Sequence, residues 1–217
     1  MPLVLKVKMS MGAVSPGKKS SMGDSASQKL CGALDMLRPR IIPCLLIRNG
    51  GLVKTVQFSD PKYVGDPINA VRIFNEKEVD ELMVLDIDAS ALGREPNYEQ
   101  IRNLAAECRM PLCYGGGVKT AEQVEKIVSL GVEKVSISSA AVKDHEFLAH
   151  AAERVGRQSI VLVMDVKKSR FRKAYEIWIH NASKATGLNP VDLSYQAEKQ
   201  GAGEIVINSI DRDGAMK

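Results

Sequence analysis

Carboxylates end three of the apolar segments in this sequence, in positions where a side chain can reach a substrate. Asp165 closes the segment VLVMD, Asp86 and Asp88 end or follow the run LMVLDI, and Asp211 and Asp213 follow the run EIVINSI. Such a carboxylate can accept or donate a proton during a reaction. We expect Asp165 and Asp211 to be catalytic candidates and Asp86 and Asp213 to contact substrate, while some of these aspartates bond only loop amides.

Small residues follow two other apolar segments and could hold an anion. Gly116 and Gly117 lie in a triple glycine between the run MPLCY and a helix start at Thr120, and Ser138 and Ser139 end the run KVSI. Glycine lets backbone N–H groups approach an anion, and a helix N-terminus adds positive potential. The pattern predicts a phosphate site, although a plain tight turn explains the glycines equally well.

A second charged set lies at the opposite ends of the apolar segments. Its members stand at the start of the first, second, fourth and sixth segments: Arg40, Glu81, Lys134 and Glu204. Charges at strand starts commonly form structural salt bridges, which is the interpretation that this pattern alone favours. The alternative is a charged ring around an opening. Lys54, after the first segment, is placed to meet an anionic substrate.

The segments that carry these residues predict alternating strands and helices. The strands are predicted at 41–47, 81–87, 110–115, 134–138, 159–166 and 204–210, and the helices at 67–78, 97–108, 120–130, 144–155 and 190–200. The strands are almost continuously apolar, which is typical of parallel strands covered on both faces. Residues 167–187 alternate in polarity and predict a β-hairpin inserted after strand five, either a substrate lid or a decoration.

An internal repeat indicates how many strands the fold contains. The segment ELMVLDID (81–88) resembles EIVINSID (204–211), and a similar offset aligns Leu46 with Asp165. A repeat of about 120 residues that contains four strands predicts a (βα)8 TIM barrel built from two halves. Only two strands of the second half are present, so we expect residues 36–217 to form a barrel truncated after strand six. A small open α/β sheet is the alternative.

Composition narrows the class of protein. The formal net charge is +4 in 217 residues, and residues 1–35 hold five lysines against two aspartates. We expect residues 1–35 to be a disordered leader, and the nearly balanced remainder to bind no nucleic acid. The sequence has no apolar run long enough to span a bilayer, so we expect a soluble, cytoplasmic protein. Its four cysteines form no CxxC pair, and we expect neither a metal site nor a cofactor.

Several ordered motifs resemble the cyclase subunit of imidazole glycerol phosphate synthase over residues 36–217. They are RIIPCL, LVKT, DELMVLDIDAS, YGGG, EKVSISSAAV and GAGEIVINSIDRDG. The resemblance implies that a glutaminase subunit docks on the bottom of the barrel and that its ammonia attacks a phosphorylated substrate at the top. It also implies that the four charges at the strand starts form an ammonia gate and that Gly117 binds phosphate. Ser138 and Ser139 replace an Asn-Thr pair of the family.

One departure from the family concerns its two catalytic aspartates. Asp165 matches the second, whereas Leu46 stands where the first is expected. A retained gate with a lost acid favours a paralogous branch that supplies ammonia to a sugar amidotransferase in surface-polysaccharide synthesis. The alternatives are the cyclase subunit of histidine biosynthesis and a non-catalytic scaffold for a glutaminase.

Overall fold

The computed structural model describes residues 40–144, 146–169 and 174–215. The leader expected over residues 1–35 lies outside these ranges. The strands are β1 (Cys44–Arg48), β2 (Gly51–Val56), β3 (Ser59–Gly65), β4 (Leu82–Asp86), β5 (Leu112–Gly115), β6 (Lys134–Ile137), β7 (Ile160–Lys168), β8 (Tyr175–Ile179), β9 (Lys184–Ala185) and β10 (Glu204–Ser209). The α-helices are α1 (Pro67–Glu76), α2 (Tyr98–Glu107), α3 (Ala121–Ser129), α4 (Ser139–Lys143), α5 (Phe147–Val155) and α6 (Pro190–Lys199).

Six strands run parallel in the order β1, β4, β5, β6, β7, β10. Each of the six apolar segments therefore forms the predicted strand, and a helix lies between successive members. The antiparallel strands β2 and β3 extend the sheet beyond β1, and β8 pairs antiparallel with the last four residues of β7. The result is an α/β fold with a mixed sheet, consistent with the architecture of a TIM barrel.

Local sequence signals explain where the helices begin. The Thr120 hydroxyl accepts a hydrogen bond from Gln123 N at 3.3 Å, and Gln123 Oε1 accepts one from Thr120 N, also at 3.3 Å. This capping box satisfies N–H groups that lack a partner within the helix. Val124 and Ile127 then repeat at helical spacing and are fully buried against the sheet. The predicted start of this helix is confirmed.

The β2–β3 hairpin is an element that the sequence did not reveal. Most side chains of β3 are exposed, and Tyr63 is 71 % exposed. Because the strand covers no core, its sequence lacks the apolar alternation that marks a half-buried strand. The hairpin nevertheless positions Thr55, which is buried and bonds to the segment that follows β10.

Side chains on the two faces of the sheet form separate cores. One lies between the sheet and the helices and contains the larger apolar cluster. The other lies on the opposite, inner face and consists of Ile42, Cys44, Met83, Cys113, Val161, Val163 and Val206, with Leu46 and Leu85 packed against it. Because successive residues of a strand point to opposite faces, the residues two positions beyond this inner cluster, such as Asp165, point to the same inner side.

None of the helices in the described ranges has the length and apolar character needed to cross a membrane.

Candidate functional site

A pocket opens at the carboxyl ends of the parallel strands, above the inner apolar cluster. It brings together seven residues singled out from the sequence: Leu46, Asp86, Gly116, Ser138, Ser139, Asp165 and Asp213. Gly117, Lys54 and Asp211 are not among the residues that line it. Convergence of strand ends on one pocket is the usual geometry of active sites in barrels.

The carboxyl group of Asp165 has a raised pKa. Burial away from water raises the pKa of its carboxyl from 3.8 to about 7, and the nearby charge of Asp213 adds to the effect. Asn208 Nδ2 donates a hydrogen bond to Asp165 Oδ1 at 3.3 Å, which opposes the rise because it stabilises the ionised form. A carboxyl group with a pKa near 7 can act as either acid or base at neutral pH.

Leu46 lies in the same pocket and is apolar where an acid was expected. It pairs with Leu85 across β1 and β4, and both side chains pack against the inner cluster. One wall of the pocket is therefore hydrophobic, whereas Asp165 and Asn208 make the wall on β7 and β10 polar. Within the pocket, Leu46 cannot exchange a proton with a ligand.

The glycine loop after β5 needs glycine for steric reasons. Gly116 has φ +116°, and a Cβ atom there would lie 2.4 Å from the Asp86 carbonyl oxygen. Gly117 has φ +75°, and its N–H donates to Ser90 Oγ at 3.2 Å. Ser90, like Gly116, lines the pocket. The loop thus brings backbone and hydroxyl groups to the side of the pocket that Ser138 and Ser139 also line.

Asp86 and Asp213 each have a structural partner in addition to their place in the pocket. Asp86 Oδ1 accepts hydrogen bonds from the N–H groups of Asp88 and Ala89, both at 3.1 Å. Asp213 Oδ2 accepts from Thr55 Oγ1 at 2.8 Å and from Phe58 N at 3.0 Å. Asp213 therefore joins the β2–β3 hairpin to the segment after β10.

Two predicted residues lie away from the pocket. Lys54 is on the exposed face of β2, rather than in an irregular loop, and Asp211 Oδ2 accepts a hydrogen bond from Lys168 N at 2.9 Å. Their roles in binding and catalysis stay predictions.

Sequence reasoning missed six polar residues that line the pocket: Thr55, Ser90, Ser136, His180, Asn181 and Asn208. Asn208 occupies the position next to Asp165 in the parallel pairing of β10 with β7, so it was available from the strand alignment. His180 and Asn181 form the turn between β8 and β9, and Asn181 Nδ2 donates to Asp88 Oδ1 at 3.4 Å. The alternation over 167–187 indicated strands but carried no signal for where their turn would point.

The four charges at the strand starts form one cluster, which we call the gate cluster: Arg40, Glu81, Lys134 and Glu204. Lys134 Nζ lies 2.7 Å from Glu81 Oε2 and 2.9 Å from Glu204 Oε1. Arg40 lies 3.7 Å from Glu81 and 3.4 Å from Glu204. Glu81 is fully buried whereas the Arg40 side chain is 35 % exposed, so the network reaches from solvent into the interior at the strand starts. The described residues contain no group of three or more His, Cys, Asp and Glu side chains suited to a metal ion.

Comparison with known proteins finds a family model and curated relatives that match this chain. The family model described as histidine biosynthesis protein matches residues 40–217. The chain belongs to this family. Curated relatives include a putative imidazole glycerol phosphate synthase subunit hisF3 of Vibrio vulnificus, which is 57 % identical over 182 residues, 84 % of this chain and 70 % of the relative.

Two further relatives carry similar names. A putative imidazole glycerol phosphate synthase subunit HisF of Leptospira interrogans is 56 % identical over 182 residues, 84 % of this chain and 72 % of the relative. A putative subunit hisF2 of Campylobacter jejuni is 43 % identical over 182 residues, 84 % of this chain and 71 % of the relative. The resemblance to the cyclase subunit that the sequence motifs indicated is thereby confirmed.

Proposed function

We propose that this chain is an ammonia-using barrel subunit of the imidazole glycerol phosphate synthase type. The observation that carries the proposal is the placement of the gate cluster and the pocket at opposite ends of one apolar interior. The names of the relatives favour the cyclase of histidine biosynthesis. Ammonia enters at the gate cluster and reacts with a phosphorylated substrate in the pocket.

The charges of the gate cluster and the apolar interior support transfer of ammonia from the gate cluster to the pocket. The inner cluster that separates the two ends is built from apolar and sulfur-containing side chains. An ammonium ion would lose its hydration there at high cost, whereas neutral ammonia is small and far less costly to desolvate. The paired carboxylates and cations of the gate cluster can hold an ammonium ion until it loses its proton.

The pocket offers suitable groups for a phosphorylated substrate. The loop at Gly116 and the hydroxyls of Ser138 and Ser139 line one side of the pocket, where a phosphate can accept hydrogen bonds. Gly117 supports this loop through its bond to Ser90. Lys54 on β2 and Asp211 after β10 lie outside the pocket lining, and we propose that they contribute to substrate binding and catalysis from its surroundings.

The partner surface follows from the position of the gate cluster. Ammonia must be delivered at the strand starts, so a glutaminase subunit docks on that side of the sheet. From the internal repeat we further propose that the six parallel strands belong to an eight-stranded barrel, with a hairpin inserted after strand five.

A second candidate function is favoured by Leu46. A subunit that keeps the gate cluster but has a leucine opposite Asp165 can pass ammonia onward without closing a ring. In this alternative the chain supplies a separate sugar amidotransferase of surface-polysaccharide synthesis. A scaffold that only docks a glutaminase is the third possibility.

The deciding experiment compares two nitrogen sources with the histidine-pathway substrate, the bis-phosphorylated ribosyl-carboxamide. We expect the chain with its glutaminase to form product from glutamine, and the chain alone to form product from ammonium salts. Lys134→Met is expected to reduce the glutamine-driven rate at least about 10-fold and to leave the ammonium-driven rate nearly intact, with Lys199→Met on the exposed face of α6 as the matched control.

Each outcome separates the candidates. No turnover with either nitrogen source, together with ammonia release from the complex, would favour the relay to a sugar amidotransferase. Product formation that is unaffected by Lys134→Met would show that ammonia does not pass the gate cluster. Glutaminase activation that survives without any ammonia transfer would favour the scaffold.

A further inference from the structure

The pocket contains a histidine that the family resemblance does not account for. His180 lies at the turn after β8, two residues beyond Trp178, and lines the pocket together with Asp165 and Leu46. Trp178 is the register partner of Asp165 in the antiparallel pairing of β7 with β8. His180 therefore follows the strand that pairs with the Asp165 segment and lines the same pocket, although it is fifteen residues away along the chain.

The imidazole has an unmet hydrogen-bonding requirement. His180 Nδ1 is buried and has no hydrogen-bond partner among the described residues. The Ser136 hydroxyl, which also lines the pocket, is buried and unpaired in the same way. Buried polar atoms normally have hydrogen-bond partners. Two unpaired atoms in residues that line one pocket therefore indicate a polar ligand that forms hydrogen bonds with both.

The turn that carries His180 is held in a defined position. His180, Asn181 and Ala182 have positive φ values of 54°, 53° and 58°. Such left-handed conformations are uncommon for residues other than glycine and persist where the surroundings fix them. Here the bond from Asn181 to Asp88 at 3.4 Å ties the turn to the loop after β4.

We propose that His180 transfers protons in this pocket together with Asp165. It supplies the second proton-transfer group, which is missing from position 46 because a leucine stands there. The proposal rests on the proposed cyclase function, because it assigns a role in that reaction. It explains how a pocket with a leucine at position 46 can still both remove and donate a proton.

The first step balances with these two groups. The ammonia nitrogen forms a bond to the substrate carbonyl carbon, and the carbon–oxygen π bond breaks. The Asp165 carboxyl gives its proton to that oxygen, while the neutral imidazole of His180 takes one proton from the nitrogen. The product is a carbinolamine, and proton transfer from the imidazolium to the carboxylate restores both groups.

The charges around each group suit these roles. Burial, Lys143 on α4 and Lys184 on β9 all lower the pKa of His180, so its imidazole is neutral at pH 7 and available as a base. The pKa of Asp165 is raised to about 7 by burial and by Asp213, so a large fraction of its carboxyl is protonated there. Acid and base are then present together at neutral pH.

The first test is kinetic and uses the chain with ammonium salts and the histidine-pathway substrate. His180→Gln is expected to lower kcat about 100-fold with KM changed less than about threefold, and to abolish the rise of kcat with pH on the acidic side. His150→Gln, on the exposed face of α5, serves as the matched control. A His180→Gln variant with unchanged kcat and pH profile would overturn the proposal.

The second test needs no turnover. The His180 imidazole is titrated by NMR in the full chain labelled with ¹⁵N-histidine, in the parent protein and in Asp165→Asn. Because Asp165 loses its proton near pH 7, above the range in which His180 titrates, the His180 ring signals of the parent protein are expected to show a second, smaller inflection near pH 7 that is absent from Asp165→Asn. Titration curves without that second inflection would refute the pair, whether or not the chain is active. A second inflection in a chain without turnover would refute the proposed cyclase function alone.

Discussion

Asn208 on β10 donates a hydrogen bond of 3.3 Å to the Asp165 carboxylate on the neighbouring strand β7. The bond stabilises the ionised acid, yet burial outweighs it and the pKa of Asp165 still rises to about 7. The two residues thus set the protonation state of the pocket between them. Asn208 is expected to fix which oxygen of Asp165 is free to face a substrate.

The raised pKa of Asp165 makes the stability of the fold depend on pH. The unfolded chain releases this proton near pH 3.8, whereas the folded chain keeps it until about pH 7. The folded state therefore binds more protons between these values, and its stability falls as pH rises through that window.

Asp165→Asn should remove this contribution. Relative to the parent protein, we expect the variant to gain roughly 2 kcal/mol in free energy of unfolding between pH 4 and pH 8, a value reduced for the partial exposure of the side chain. Urea denaturation at several pH values measures it. Asp60→Asn, whose side chain is 78 % exposed, is the control and should show no such gain. Parallel pH profiles for parent and Asp165→Asn would contradict the prediction.

The gate cluster yields a prediction on stability. Lys134→Met leaves the fully buried Glu81 and the nearly buried Glu204 with Arg40 as the one cation of the cluster, at 3.7 and 3.4 Å. Removing one partner of a buried ion pair is costly because the remaining charge is desolvated. We expect a loss of about 3 kcal/mol in chemical denaturation. Lys199→Met should change stability by less than about 0.5 kcal/mol, and an equal effect of the two would contradict the prediction.

Much of the fold was predictable because burial leaves a pattern in the sequence. Each parallel strand is covered on both faces, so its apolar run stands out between the amphipathic helices. The β2–β3 hairpin and the five-residue helix α4 were missed for the opposite reason. β3 covers little core, and α4 is too short for a helical period to appear.

The site was predictable where it follows from strand ends. Gly116 and Ser138 directly follow β5 and β6, and Asp165 lies near the end of the parallel pairing of β7 with β10, so the three meet at one edge. His180 was not predictable in this way, because its position depends on the course of a hairpin turn with three left-handed residues. The hydrogen bond from Thr55 to Asp213 likewise depends on the β2–β3 hairpin, which the sequence did not predict.

Two glycine substitutions can separate the cost of a steric clash from the cost of an unfavourable backbone conformation. Gly116→Ala would place a Cβ atom 2.4 Å from the Asp86 carbonyl oxygen at φ +116°, whereas Gly93→Ala has the comparable handedness, φ +69°, but open space. We expect Gly93→Ala to cost about 1 kcal/mol and Gly116→Ala about 3 kcal/mol or more, by thermal denaturation. Equal costs would show that the loop can move away from Asp86, in which case it is not a rigid cradle for phosphate.

Leu46→Asp tests directly what the leucine means for function. The new carboxylate would lie in the pocket with Asp165, next to Leu85, and restore the pair of acids that the family resemblance implies. We expect stability to fall by about 2 kcal/mol, because a polar group replaces a leucine packed on the inner cluster.

The catalytic outcome of Leu46→Asp depends on what limits the parent reaction. If ring closure is limited by a missing acid, ammonium-driven turnover should rise about 10-fold or more, since a general acid or base contributes on the order of 10²–10⁴ in rate. Leu46→Asn, similar in size but unable to transfer a proton at neutral pH, is the matched control and should not raise turnover. If Leu46→Asp leaves a substantial parent rate unchanged, a group other than a carboxylate on β1 already performs that proton transfer, as proposed for His180. A parent and a variant that are both inactive would instead count against the cyclase function and favour the relay of ammonia to a separate amidotransferase.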